Sequence, residues 1–93
     1  MTFLSTLDQL LDDRYKNPKE GSYTSTLFEQ GVDRIARKVG EEAAELIIAA
    51  KNNDDNELLN ESADLLFHLM LVLKKQGCSI EDVVDVLAKR HDV

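Results

Sequence analysis

Glu42 and Glu45 are i,i+3 neighbours and Glu41 stands one turn from Glu45, so in a helix all three carboxylates project from one arc. Further along, Glu61 and Asp64 repeat the i,i+3 spacing, and His68 follows one turn later on the same side. Both acidic arcs border apolar faces, and antiparallel packing of the two helices would bring them together at the edge of the core. Gathered carboxylates repel: two unit charges about 5 Å apart cost roughly 3 kcal/mol at an effective dielectric of about 20, and four charges make six such pairs. Protonation at raised pKa, splaying into water, or a divalent cation would each offset that repulsion. A donor set of oxygens, without thiols or several histidines, points to magnesium or manganese rather than zinc. Eighteen acidic residues also generate such pairs by accident on solvated helix faces, so spacing alone leaves both readings open.

Other chemistry-bearing residues flank this pair of arcs. Arg34, Arg37 and Lys38 lie about a turn before the glutamates, where Arg as a planar fork and Lys as a point charge would meet phosphate oxygens; the competing reading is a solvated face with i,i+4 pairs such as Lys38 with Glu42. Ser22, Tyr23 and Thr24 place hydroxyls at a helix start, where free amides welcome anions, although such a loop is as readily a plain cap. His68 sits on an apolar helix, as a partner of a carboxylate, a substrate contact or a satisfied core residue. Gly40, inside a helical pattern, implies a close helix approach, access beside Glu41, or simple tolerance.

The elements that must position these residues are helices. Phe3, Leu4, Leu7, Leu10 and Leu11 keep helical spacing and predict a first helix over about 3–14. The stretch 17–23, with the only Pro and a nearby Gly, reads as a loop, after which Thr24 or Ser25 caps a new helix. From Leu27 to about Asn52 the period persists, with Gly31 as a place to break or bend. A third pattern runs from about Asn56 to Gln76, ended by Gly77, and Ser79 with Asp82 opens the last helix as a near capping box. The run from Leu65 to Leu73 is apolar almost all round, which predicts a helix buried on every side, partly by a second copy of the chain.

Ninety-three residues allow one domain, over 1–93, which by itself buries only about 60–65% of the surface its unfolded chain exposes. A net charge of −7 disfavours nucleic acid and anionic membranes as partners, and any phosphate-bearing ligand needs a local basic cluster or a cation. No signal peptide or spanning stretch is visible, and the lone Cys78 excludes an internal disulfide; a cytoplasmic protein is expected.

The order Glu-Glu-x-x-Glu over 41–45 followed by Glu-x-x-Asp over 61–64 resembles the all-α MazG-like pyrophosphohydrolases, whose acidic quartet binds magnesium. The fuller text, Gly21-Ser22-Tyr23-Thr24, then Gly31, then Lys38-Val39-Gly40-Glu41-Glu42, then Glu61-Ser62-Ala63-Asp64-Leu65-Leu66-Phe67-His68, with the closing Val86-Leu87-Ala88-Lys89-Arg90-His91, is similar to the phosphoribosyl-ATP pyrophosphatase family over nearly the whole chain. The resemblance implies an all-α bundle of four to five helices completed by homodimerisation. It implies hydrolysis of phosphoribosyl-ATP to phosphoribosyl-AMP and pyrophosphate, the second step of L-histidine biosynthesis, with Mg²⁺ or in its place Mn²⁺. Residue by residue it makes Glu42, Glu45, Glu61 and Asp64 the metal ligands, with Glu41 a further ligand or the base that orients water. Lys38 and Arg34 would face phosphates, and Ser22, Tyr23 and Thr24 match the family's motif as candidate substrate contacts; His68 stands beside them as a candidate contact from its own position, with a core or carboxylate-supporting role the favoured reading. Many members carry this domain behind a zinc-dependent cyclohydrolase, and the sequence looks like the stand-alone form. The rival readings are a MazG-like enzyme that removes surplus or noncanonical nucleoside triphosphates, and a non-enzymatic helical dimerisation module.

Overall fold

Helix signals dominate the sequence, and the computed structural model, which describes residues 2–91, contains five helices and no strand among them. They are α1 (Phe3–Lys16), α2 (Tyr23–Gln30), α3 (Val32–Lys51), α4 (Asp55–Lys75) and α5 (Ile80–His91). The outermost positions of the expected 1–93 domain lie outside the described residues. No helix is long and apolar enough to cross a membrane.

The second helix begins earlier than its sequence predicts. Ser22, with extended backbone, is the cap and its Oγ accepts from Ser25 N at 3.1 Å. Thr24 and Ser25, the expected caps, already lie inside the helix, and buried Ser25 uses its hydroxyl to accept from Lys19 N at 3.0 Å. Gly31 divides the long helical pattern that follows. At φ 98° and ψ 173° it ends α2 and starts α3 at once, a conformation open almost only to glycine. Its N–H closes on Leu27 O and its carbonyl accepts from Ile35 N, so the chain turns a corner without orphaning either group. Gly40, by contrast, runs through α3 without a break, and a Cβ there would meet nothing within 4 Å. That removes the close helix approach as its explanation. Gly31→Ala is therefore expected to destabilise the fold by about 1–3 kcal/mol, and Gly40→Ala to stabilise it by about 0.5–1 kcal/mol; urea midpoints of the two variants should move in opposite directions.

A turn at Asn52–Asp54 folds α3 back against α4. Asn53 accepts the left-handed backbone (φ 54°) that Asn tolerates better than most residues, and Asp54 Oδ1 accepts from Glu57 N at 3.1 Å to cap α4. The other end of α4 closes as expected, with Cys78 N donating to Leu73 O at 2.7 Å. Ser79 and Asp82 then form the reciprocal cap at the start of α5.

The core joins Leu11 of α1, Leu27 and Phe28 of α2, Ile35 of α3, Met70 and Leu71 of α4, and Ile80 of α5. The first helix is also tied to α4 by Lys74, whose Nζ lies 3.3 Å from Asp8 Oδ2 and 3.6 Å from Asp12 Oδ1. Complete burial of α4 is not observed: Leu65, Leu66, Phe67 and Leu69 are half-buried and Leu59 is exposed, because the other helices cover one side of it.

Candidate active site between two antiparallel helices

Antiparallel packing sets the end of the acidic arc on α3 against the start of the arc on α4. Glu45 of α3 meets Glu61 of α4, and one turn away Glu42 lies against the ring of His68, whose Nδ1 also reaches the carbonyl of Asp64. The two arcs approach each other at Glu45 and Glu61. They differ in exposure: Glu42 and His68 are buried, at 7% and 5% of their full accessible area, whereas Glu41, Glu45 and Asp64 are exposed.

The electrostatics of this cluster fall mainly on Glu61. A hydrogen bond shared with Glu45, then burial, then the negative charges of Glu45, Asp64 and Glu57 push its carboxyl from an ordinary 4.5 up to about 7. Two carboxyl groups share a hydrogen bond only when one is protonated, so the raised value and the contact have one cause. Glu61 Oε2 and Glu42 Oε1 are closed off from solvent with no hydrogen-bond partner among the described residues. Glu57 belongs to the same field, one turn before Glu61, so the acidic stripe of α4 begins a turn earlier than the spacing argument placed it. The signal was in the sequence, since 57, 61, 64 and 68 are successive i+4, i+3 and i+4 steps on one helix face.

A folded carboxyl raised from 4.5 to about 7 binds more protons than its unfolded form between those values, so stability falls as pH rises through that window. The loss is complete above the folded value and absent below 4.5. Chelator-treated protein is expected to show a thermal midpoint that drops between pH 4.5 and pH 7 on this account; a flat profile there would contradict the convergence of Glu45 and Glu61.

The donor atoms suit a hard divalent cation: all are carboxylate oxygens, and two of them are buried and short of a partner. As placed, no three carboxylate or imidazole side chains among the described residues form a cation shell; Glu42 lies against His68, and the Glu61 carboxyl, raised to about 7 chiefly by Glu45, holds a proton below that pH. Displacing that proton and turning the side chains is what a cation would have to do. Beside the cluster a cleft of about 230 Å³ runs towards the hairpin turn, lined by Glu45, Glu57, Glu61, Ile48, Ala49 and Asn52. Sequence reasoning passed over this apolar and amide lining, which only the pairing of the two helices creates.

The remaining expected residues divide. Arg34 is exposed and Lys38 half-buried on α3, and among the described residues neither forms an ion pair, so the Lys38–Glu42 bridge is not made and both cations are free for a ligand. Ser22 is engaged as a helix cap, and Thr24 is half-buried in the first turn of α2. Tyr23 directs its hydroxyl to His68 Nε2 at 2.8 Å.

The chain is similar to known proteins along nearly its whole length. A family model described as phosphoribosyl-ATP pyrophosphohydrolase matches residues 4–91. A phosphoribosyl-ATP pyrophosphatase of Streptococcus sanguinis is 56% identical over 95% of this chain and 85% of its own length. One of Leptospira biflexa is 50% identical over 98% of this chain and 99% of its own. The histidine biosynthesis bifunctional protein HisIE of Bacillus subtilis is 51% identical over 95% of this chain, which spans 42% of that longer protein.

Proposed function

The chain belongs to the phosphoribosyl-ATP pyrophosphohydrolase family, and from that premise we propose that it hydrolyses phosphoribosyl-ATP to phosphoribosyl-AMP and pyrophosphate, the second step of L-histidine biosynthesis, with magnesium. The observation that carries the cation is the meeting of Glu45 with Glu61 beside Glu42 and Asp64, with two buried oxygens unpartnered. Glu42, Glu45, Glu61 and Asp64 would hold it. Magnesium, when bound there, polarises phosphoryl oxygens and offsets charge on the leaving pyrophosphate.

The chain's own groups do the rest. Exposed Glu41 accepts a proton from the water that attacks phosphorus, and Arg34 and Lys38, unpaired among the described residues, hold phosphate oxygens in line. Pyrophosphate is already a good leaving group, so positioning and charge complementarity supply much of the acceleration. Glu61 must be ionised to join the cation, so apparent Mg²⁺ affinity is expected to rise with pH towards 7 and then level.

The enzyme is read as cytoplasmic and homodimeric. Support for a second copy comes from Ile47, Ile48 and Leu59, which stand 54%, 59% and 69% exposed on the α3–α4 hairpin, more apolar surface than a lone hairpin would leave to water.

The direct test incubates purified protein with phosphoribosyl-ATP and, separately, with ordinary nucleoside triphosphates, each with magnesium or with chelator, and follows pyrophosphate. Release from phosphoribosyl-ATP that chelator stops is expected. Preference for the ordinary triphosphates would move the chain to the housecleaning reading, and no release from any nucleotide would leave the dimerisation module.

A further inference from the structure

The tyrosine and histidine that the sequence offers as substrate contacts are already committed to each other. His68 is 5% exposed and both of its ring nitrogens are occupied. Nδ1 lies 2.9 Å from the carbonyl oxygen of Asp64, which can only accept, so Nδ1 carries the hydrogen. In the neutral ring Nε2 is then the acceptor, and the Tyr23 hydroxyl, 2.8 Å away, donates to it. Turning the ring over would replace both nitrogens by carbon and break both bonds. Tyr23 and Phe67 also meet the ring edge-on, with centroids 5.9 and 5.2 Å away. The locked imidazole lies against Glu42, whose Oε1 is 2.5 Å from Nδ1 but off the N–H direction and without a hydrogen bond of its own.

From this juxtaposition we infer that Tyr23 and His68 are positioning residues that hold the Glu42 carboxylate for a divalent cation, and that neither contacts the substrate. The inference rests on the functional reading above for the role of Glu42. Three helices take part: α2 supplies the hydroxyl, α4 the ring, and α3 the carboxylate. The ring closes one side of a carboxylate that is itself buried, which restricts its rotation before any cation arrives. A carboxylate held in one orientation loses less freedom on binding a cation than one that swings, and removing such supporting groups from metal sites commonly weakens binding by about 10–100-fold.

The test is a calorimetric titration of Mg²⁺ into the protein without nucleotide, alongside kcat and KM for phosphoribosyl-ATP. Tyr23→Phe removes one oxygen from a half-exposed residue and keeps the ring. It is expected to weaken Mg²⁺ binding about tenfold and to lower kcat, with KM at saturating magnesium within about twofold of wild type. His68→Asn, which keeps an N–H for the Asp64 carbonyl, should retain more Mg²⁺ affinity than His68→Leu. Unchanged Mg²⁺ affinity with a raised KM in Tyr23→Phe would overturn the inference and return the hydroxyl to the substrate. Equal Mg²⁺ affinity in His68→Leu and wild type would overturn it as well. Should the wild type release no pyrophosphate from phosphoribosyl-ATP, the functional reading fails, while the titration still decides whether the ring positions Glu42.

Discussion

Glu61→Gln is expected to cut pyrophosphate release from phosphoribosyl-ATP by roughly a thousandfold or more and at the same time to raise the thermal midpoint of chelator-treated protein above pH 7. Both effects come from one charge. A hydrogen bond with Glu45, burial, and the repulsion of the acidic neighbours Glu45, Asp64 and Glu57 together hold the Glu61 carboxyl protonated up to about pH 7. A neutral amide of the same shape relieves that repulsion and still bonds Glu45. It also supplies a weaker oxygen ligand with no charge to balance a cation. The stability gain should shrink as pH falls and vanish below 4.5, where the wild-type carboxyl is protonated in folded and unfolded chains alike. Calorimetric scans of the two proteins at pH 4 and pH 8 settle the sign. An active Glu61→Gln, or one less stable than wild type at pH 8, would separate Glu61 from the cluster.

Leu71→Ala is expected to destabilise the fold by about 2–5 kcal/mol. The side chain is fully buried where α4 meets the other helices, and removing it leaves a cavity that four short surrounding helices close only in part. Against a total of about 5–14 kcal/mol for a chain of this size, that loss leaves a large unfolded fraction at modest temperature. Val84→Ala, 46% exposed on α5, serves as the comparison and should stay within about 0.5 kcal/mol of wild type. Denaturant titrations measure both; comparable losses in the two variants would mean that the core does not lie where Leu71 places it.

The helices themselves were legible because period and punctuation agree. Apolar spacing gave the core faces of α1, α3 and α4, and Gly31, Gly77 and the Ser79–Asp82 pair marked where helices break, end and begin. The misplaced cap of α2 shows the limit of local reading. Ser22, Thr24 and Ser25 compete to cap, and Ser22 wins because Ser25 is drawn inward to meet Lys19, a contact that depends on how the preceding loop folds over the helix. The acidic arcs were legible for the same reason as the helices: one side chain every three or four residues defines a face. Their partners were not. Nothing local joins Tyr23 to His68, whose pairing across 45 positions exists only once α2 lies on α4. The apolar run of α4 fixed which residues seek cover but not what provides it, because hydrophobicity carries no address.

The central claim is that α3 and α4 hold divalent cation between their carboxylates, and it is tested most directly by locating that ion. Crystals grown with Mn²⁺ and measured at an anomalous wavelength for manganese should show a peak coordinated by oxygens from both helices, drawn from Glu42, Glu45, Glu61 and Asp64, and lost in Glu61→Gln. Active protein in which manganese binds elsewhere, or touches only one of the two helices, would contradict the account.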